Sequence, residues 1–303
     1  MADGDSEPGE YAGDEANNVK LVAERYAVVF AMVGTFCFVV QDSAIKWLTN
    51  DVTVLQIVFL RSVFALLFLV IGSALSRTPL TLKSDRPWLL LFRTLVNIVS
   101  WCFFFTGLKY LPLATAAALF FSFPIYVTAL SIPLLGEKVG IRRWSAMLLG
   151  FVGVLLMTRP GSGFQWSALF MILAALGWST VVILTKILAQ HSTNAKSGMH
   201  TPASMLFHTL IGFCIVTAIP QPWTWQAVPS DSWLLIVFAA LFGVIAQFTL
   251  VKAYSIASPS LIAPFEYSGL VWAALFGFVI WSDVPDAIVI LGALFNPSVS
   301  IFE

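Results

Sequence analysis

Apolar runs of membrane-spanning length follow one another along nearly the whole chain, and a few ionisable residues lie inside them. A helix crosses a bilayer core with about 20 apolar residues. An ionisable group buried there costs several kcal/mol, so it is paired or functional. Asp42, Arg61, Arg93, His208 and Glu266 are such groups. Only 11% of the 303 residues are charged, against about 25% in a water-soluble domain. With 59% hydrophobic residues and a mean hydropathy of +0.89, a soluble globule is not expected. The formal net charge is zero, which argues against a nucleic-acid partner held through phosphates.

The hydropathy pattern predicts helices at about 27–48, 52–74, 88–108, 112–135, 143–159, 165–190, 203–221, 232–254, 258–281 and 286–302. The breaks carry turn chemistry, among them Asn50-Asp51, Pro79, Pro160-Gly161 and Pro285. Residues 1–25 hold seven acids and few apolar groups, so a disordered acidic cytoplasmic tail is expected. No basic segment with an apolar run and a cleavage site precedes the first span, which is therefore expected to stay as an anchor. With the N-terminus placed in the cytoplasm, Arg77, Lys83, Arg86, Lys138, Arg142, Arg143, Lys186, Lys196 and Lys252 fall inside. Only Lys46, Lys109 and Arg159 fall outside, a bias that sets the orientation. The last span is broken by Asn296-Pro297 and is atypical.

An internal repeat is also present. Tyr110-Leu111-Pro112 runs through an apolar segment to Leu135-Gly136-Glu137, and Ser258-Pro259-Ser260 runs through another to Trp281-Ser282-Asp283. Aligning Glu137 with Asp283 brings both starts into register. Five spans separate the copies, and five is odd, so the second copy enters the membrane from the opposite side. Inverted repeats of this kind build transporters, with the substrate site at their interface.

Gly107-Leu108-Lys109-Tyr110-Leu111-Pro112-Leu113-Ala114, Phe123-Pro124 and Leu134-Leu135-Gly136-Glu137-Lys138-Val139, followed by Leu149-Gly150-Phe151-Val152-Gly153-Val154, resemble the first EamA domain of the drug/metabolite transporter superfamily. Ala263-Pro264-Phe265-Glu266-Tyr267 and Asp283-Val284-Pro285-Asp286 resemble the second. The resemblance implies an all-α polytopic protein of about ten helices in two inverted five-helix repeats, here 26–159 and 165–303. It also implies cytoplasmic termini, a bacterial inner-membrane location and a central cavity for alternating access. Members of the superfamily move riboflavin, S-adenosylmethionine, amino acids, purines and other small metabolites, and the wording here is closest to the riboflavin and S-adenosylmethionine uptake branches. Asp283 stands where the second repeat usually has Glu, and the tail after Leu294 departs from the family's last helix.

The candidate residues have structural readings beside functional ones. Glu266 lies about 12 Å deep at 1.5 Å per residue, either for a coupling proton or substrate contact or as half of an ion pair. Arg61 is its expected counter-ion, by depth alone. Asp42 and Lys46, four apart, share a helix face near the outer interface, as a pair or an outer gate. Arg93, Asn97 and Trp101 form a stripe that faces the cavity or bonds between helices. His208 reads more simply as a bonded packing residue. Trp101, Trp178, Trp272, Tyr126 and Tyr267 are either packing or platforms for a planar heterocycle. Glu137 and Asp283 read as fold or gate elements.

Cys37, Cys102 and Cys214 show no metal-ligand spacing. No HExxH, GxSxG or P-loop occurs, so neither catalysis nor a cofactor is expected. The expected partners are a small-molecule substrate, the bilayer and a coupling proton. The leading expectation is a secondary carrier of a small polar or heterocyclic metabolite. The alternatives are an amino-acid or drug exporter of the same fold, an intramembrane enzyme and a non-transporting membrane partner.

Overall fold

The computed structural model describes residues 8–49, 51–111, 119–158, 166–195 and 201–281. Within these the chain is helical: α1 (Pro8–Leu48), α2 (Val54–Ser76), α3 (Pro87–Tyr110), α4 (Phe123–Leu135), α5 (Ile141–Thr158), α6 (Trp166–Ala195), α7 (Pro202–Ala218), a short α8 (Gln221–Thr224), α9 (Ser232–Ile256), α10 (Pro259–Glu266) and α11 (Ser268–Trp281). Six spans among the described residues are long and apolar enough to cross a membrane, with α10 and α11 forming one of them, and α4 and α7 are shorter apolar helices. The tenth expected span, 286–302, lies outside the described residues, as does Asp283.

Helix ends follow local chemistry. Pro87 and Pro202 open α3 and α7, where the missing N–H is no loss. The Thr201 hydroxyl accepts from the Ser204 N–H and caps α7. At the Leu-Gly-Glu element, Gly136 is left-handed with φ 67°. Its N–H donates to the Ile132 carbonyl, and that of Glu137 donates to the Ser131 carbonyl. The motif is thus a glycine-terminated helix end.

Two elements differ from expectation. The first helix begins at Pro8, so residues 8–25, expected to be disordered, continue the membrane helix outward. Extending an existing helix avoids the nucleation cost that an isolated acidic tail would face. The second difference is that span 9 is two helices, broken at Tyr267 between α10 and α11. Span 4 shows a matching turn at Phe121-Ser122 before α4. The alignment that pairs Glu137 with Asp283 also pairs Phe121 with Tyr267 and Ser122 with Ser268. Pro124 and Pro264 explain the weakness of these segments, since each removes one backbone donor and crowds the preceding turn.

The packing has two-fold logic. Exchange α1 with α6, α2 with α7, α3 with α9, and α4 with α10–α11. The α1–α9 contact then becomes α3–α6, α2–α9 becomes α3–α7, and α1–α11 becomes α4–α6. The α2–α7 and α4–α10 contacts map onto themselves. The two halves therefore interlock, with the broken helices meeting across the pseudo-axis. There the Phe121 and Tyr267 rings lie 6.3 Å apart.

Candidate functional site

A cavity of about 120 Å³ lies beside the two breaks. Its α1 wall runs from Thr35 through Phe38 and Asp42 to Lys46. Eleven residues of helix cover about 16 Å, so the space reaches from the broken helices towards the Leu48 end of α1. Trp101 and Phe104 of α3 and Trp178 of α6 supply aromatic wall, as do Phe120, Phe121 and Phe123 at the α4 break. Glu266 and Ala273 complete it from α10 and α11. Phe38, Trp101 and Trp178 form a triangle with ring centroids 5.5, 6.1 and 6.2 Å apart. Tilted and edge contacts of this kind suit the ring quadrupoles.

Glu266 is 4% exposed and lines this cavity, but Arg61 is not its hydrogen-bond partner. The Tyr254 hydroxyl of α9 donates to Glu266 Oε1. Arg61 is instead held by Gln41, whose Oε1 accepts from Arg61 Nη1 at 2.6 Å. Gln41 Nε2 in turn donates to Asp42 Oδ1 at 3.0 Å. The Arg61 guanidinium also lies 5.3 Å from the Trp101 ring centroid. Two residues of similar depth thus face different ways around their helices.

Arg93 is a bonded strut. Its Nε donates to Thr185 Oγ1 at 2.8 Å, and its Nη1 donates to Thr209 Oγ1 at 2.9 Å. These bonds join α3 to α6 and α7, the image under the two-fold exchange of the α1, α2 and α9 junction around Arg61. Asn97 is fully buried, and neither amide atom has a hydrogen-bond partner among the described residues. Trp101 Nε1 and Trp272 Nε1 are also unpartnered there.

His208 is a packing residue. Its Nδ1 lies 2.8 Å from the Ser204 carbonyl and its Nε2 lies 3.1 Å from the Leu82 carbonyl, tethering the 77–86 loop to α7. Tyr267 is 1% exposed and donates to the Met147 carbonyl at 3.4 Å. Tyr126 packs half-buried on the core, and Trp272 meets Phe36 edge-on at 5.1 Å. Glu137 is half-buried just past the C-terminal end of α4. It lies within electrostatic reach of Lys186, which donates to the Ser255 and Ile256 carbonyls. Asp42 and Lys46 both line the cavity. Among the described residues no group of three His, Cys, Asp or Glu side chains has the geometry of a metal site.

Gln41 and Tyr254 are the residues the sequence reading missed. Gln41 is the immediate neighbour of Asp42, and an amide beside an acid within an apolar span is the signal that could have found it. Tyr254 carried no comparable signal.

The fold defines a multi-pass membrane protein of two interlocked helical halves with a cavity between them. The chain belongs to the EamA-like transporter family, whose model matches residues 25–159 and again 165–296. It is 27% identical over 280 residues to the pseudopaline exporter CntI of Pseudomonas aeruginosa, covering 89% of this chain and 93% of that one. It is 29% identical over 226 residues to an S-adenosylmethionine uptake transporter of Rickettsia prowazekii, covering 73% of each. Identity to a riboflavin transporter of Vibrio cholerae is 29% over 208 residues, covering 67% of this chain and 65% of that one. A solved crystal structure superposes with a TM-score of 0.76 over 90% of this chain and 94% of the other. At 16% identity that likeness speaks for the fold alone. The family lies within the drug/metabolite transporter superfamily.

Proposed function

We propose that this chain is a secondary carrier moving a small polar or heterocyclic metabolite by alternating access between its repeats, 26–159 and 165–303. It sits in a bacterial inner membrane with the N-terminus in the cytoplasm. The observation that carries the reading is Glu266, an intramembrane carboxyl on an aromatic cavity where two pseudo-equivalent helices break. Interrupted helices in matching positions of two repeats are where such carriers build their sites. Glu266 then holds the coupling proton. The named relatives support a metabolite cargo, and they include both uptake and export proteins, as a reversible carrier allows.

The cavity of about 120 Å³ is smaller than the roughly 300–1,000 Å³ of drug-sized ligand sites. A larger cargo therefore requires the walls to move. With the inner-side assignment above, the space occupies the outer half of the membrane, and access from the cytoplasm requires the α4 and α10–α11 segments to shift.

The orientation is tested by labelling. Single cysteines in 78–86 should react only with reagent on the cytoplasmic side, and those in 222–231 only from outside, because the basic loops stay in. Labelling of both loops from the same side would remove the inverted arrangement from the reading.

A further inference from the structure

We infer that the occupant of the cavity is a small planar cation, a positively charged heteroaromatic ring or aryl ammonium group. The inference rests on the carrier reading only in taking this cavity as the substrate site. Three features of the cavity point to that charge and shape.

The first is the company of Glu266. Its contact among the described residues is the neutral Tyr254 phenol. An ionised carboxyl inside a membrane takes an opposite charge as partner, and this one faces a space that a ligand can enter. The basic residue on the cavity wall, Lys46, is far off. Thr35 packs beside Gly269, one turn from Glu266, and Lys46 is eleven residues further along α1, about 16 Å. Arg61, behind Trp101, is already engaged by Gln41.

The second is the wall. Phe38, Trp101 and Trp178 present ring faces and edges within one small space. A cation within about 6 Å of such a ring is attracted to its face, most strongly when water is excluded. The Arg61 guanidinium already makes this contact with Trp101. An anion near Glu266 would meet a carboxylate and electron-rich faces, both repulsive. The third feature is size, since about 120 Å³ takes a single ring.

Three probes share one ring and differ in charge: 1-methylnicotinamide is a cation, nicotinamide is neutral and nicotinate is an anion. Binding is read on the purified full chain by thermal shift and tryptophan fluorescence. The cation is expected to bind at least about tenfold tighter than nicotinamide, the scale of a desolvated cation–π contact, and nicotinate is expected not to bind. Glu266→Gln should bring the cation to within about threefold of nicotinamide, while Trp178→Phe, which keeps a ring, retains the preference. Equal or tighter binding of nicotinamide or nicotinate overturns the inference, and so does absence of binding by all three at millimolar concentration. The carrier reading has its own readout. Thr35→Cys, in a background with the other cysteines replaced, should react with impermeant thiol reagents from either side. Two-sided reaction with a failed cation test sinks the ligand class alone, whereas one-sided reaction under every condition sinks the carrier.

Discussion

Glu266→Gln is expected to abolish uphill uptake driven by a pH gradient while leaving counterflow exchange at saturating substrate. Glutamine keeps the shape of the side chain and an oxygen that accepts from Tyr254, so the α9–α10 link survives. What it removes is the ability to bind and release a proton. The fold should hold, because Arg61 does not depend on Glu266; its hydrogen bond goes to Gln41. The measurement is paired: uptake against gradient and exchange at equilibrium in proteoliposomes, with the melting temperature as control. Tyr254→Phe is the complement. It takes the hydroxyl from a buried carboxyl and should cost about 1–3 kcal/mol, so stability should fall where it holds in Glu266→Gln. Unaltered uphill uptake by a stable Glu266→Gln protein would exclude the coupling role.

The helices were legible in the sequence because a bilayer imposes one length and one polarity on every span. The starts and ends fell close to α2, α3, α6 and α9 for that reason. The family repeat was legible through Leu135-Gly136-Glu137, since a left-handed glycine ending a helix leaves a fixed signature. The breaks at Phe121-Ser122 and Tyr267 were not read, although Pro124 and Pro264 stood beside them. Proline inside a membrane span is tolerated when neighbours re-satisfy the backbone, so its presence does not specify a break. The pairing of Arg61 with Glu266 failed for a geometric reason. Sequence gives depth along a helix axis, but the angle around the axis depends on which helices pack together. Arg61 turns towards α1 and α9, and Glu266 turns towards Tyr254. The aromatic wall was half legible: Trp101 and Trp178 were singled out, but Phe38, Phe104 and Phe120 are indistinguishable in sequence from lipid-facing phenylalanines.

Gln41→Leu is expected to be strongly destabilising, by about 2–3 kcal/mol. The amide is the middle of a chain, accepting from Arg61 Nη1 and donating to Asp42 Oδ1. Leucine serves neither, and it takes the acceptor from a guanidinium whose Nε is already without a hydrogen-bond partner among the described residues. Asp42 stays within electrostatic reach of Arg61, so the cost is that of losing hydrogen bonds to buried charged groups, about 1.5–3 kcal/mol. The two-fold counterpart at Arg93 should behave differently. Thr185 and Thr209 also bond to the Val181 and Met205 carbonyls of their own helices, so Arg93→Met strands nothing and should cost less than about 1.5 kcal/mol. Gly243 offers an independent way to reach Gln41. A Cβ there would lie 2.1 Å from Gln41 Oε1, so Gly243→Ala must push the amide off Arg61, with overpacking of about 1–3 kcal/mol on top of the lost bond. In a Gln41→Ala background that oxygen is gone, and Gly243→Ala should be close to neutral. Thermal unfolding in detergent of the two single variants and the double closes the cycle. Strict additivity would mean that Gly243 acts through something other than the Arg61–Gln41–Asp42 chain.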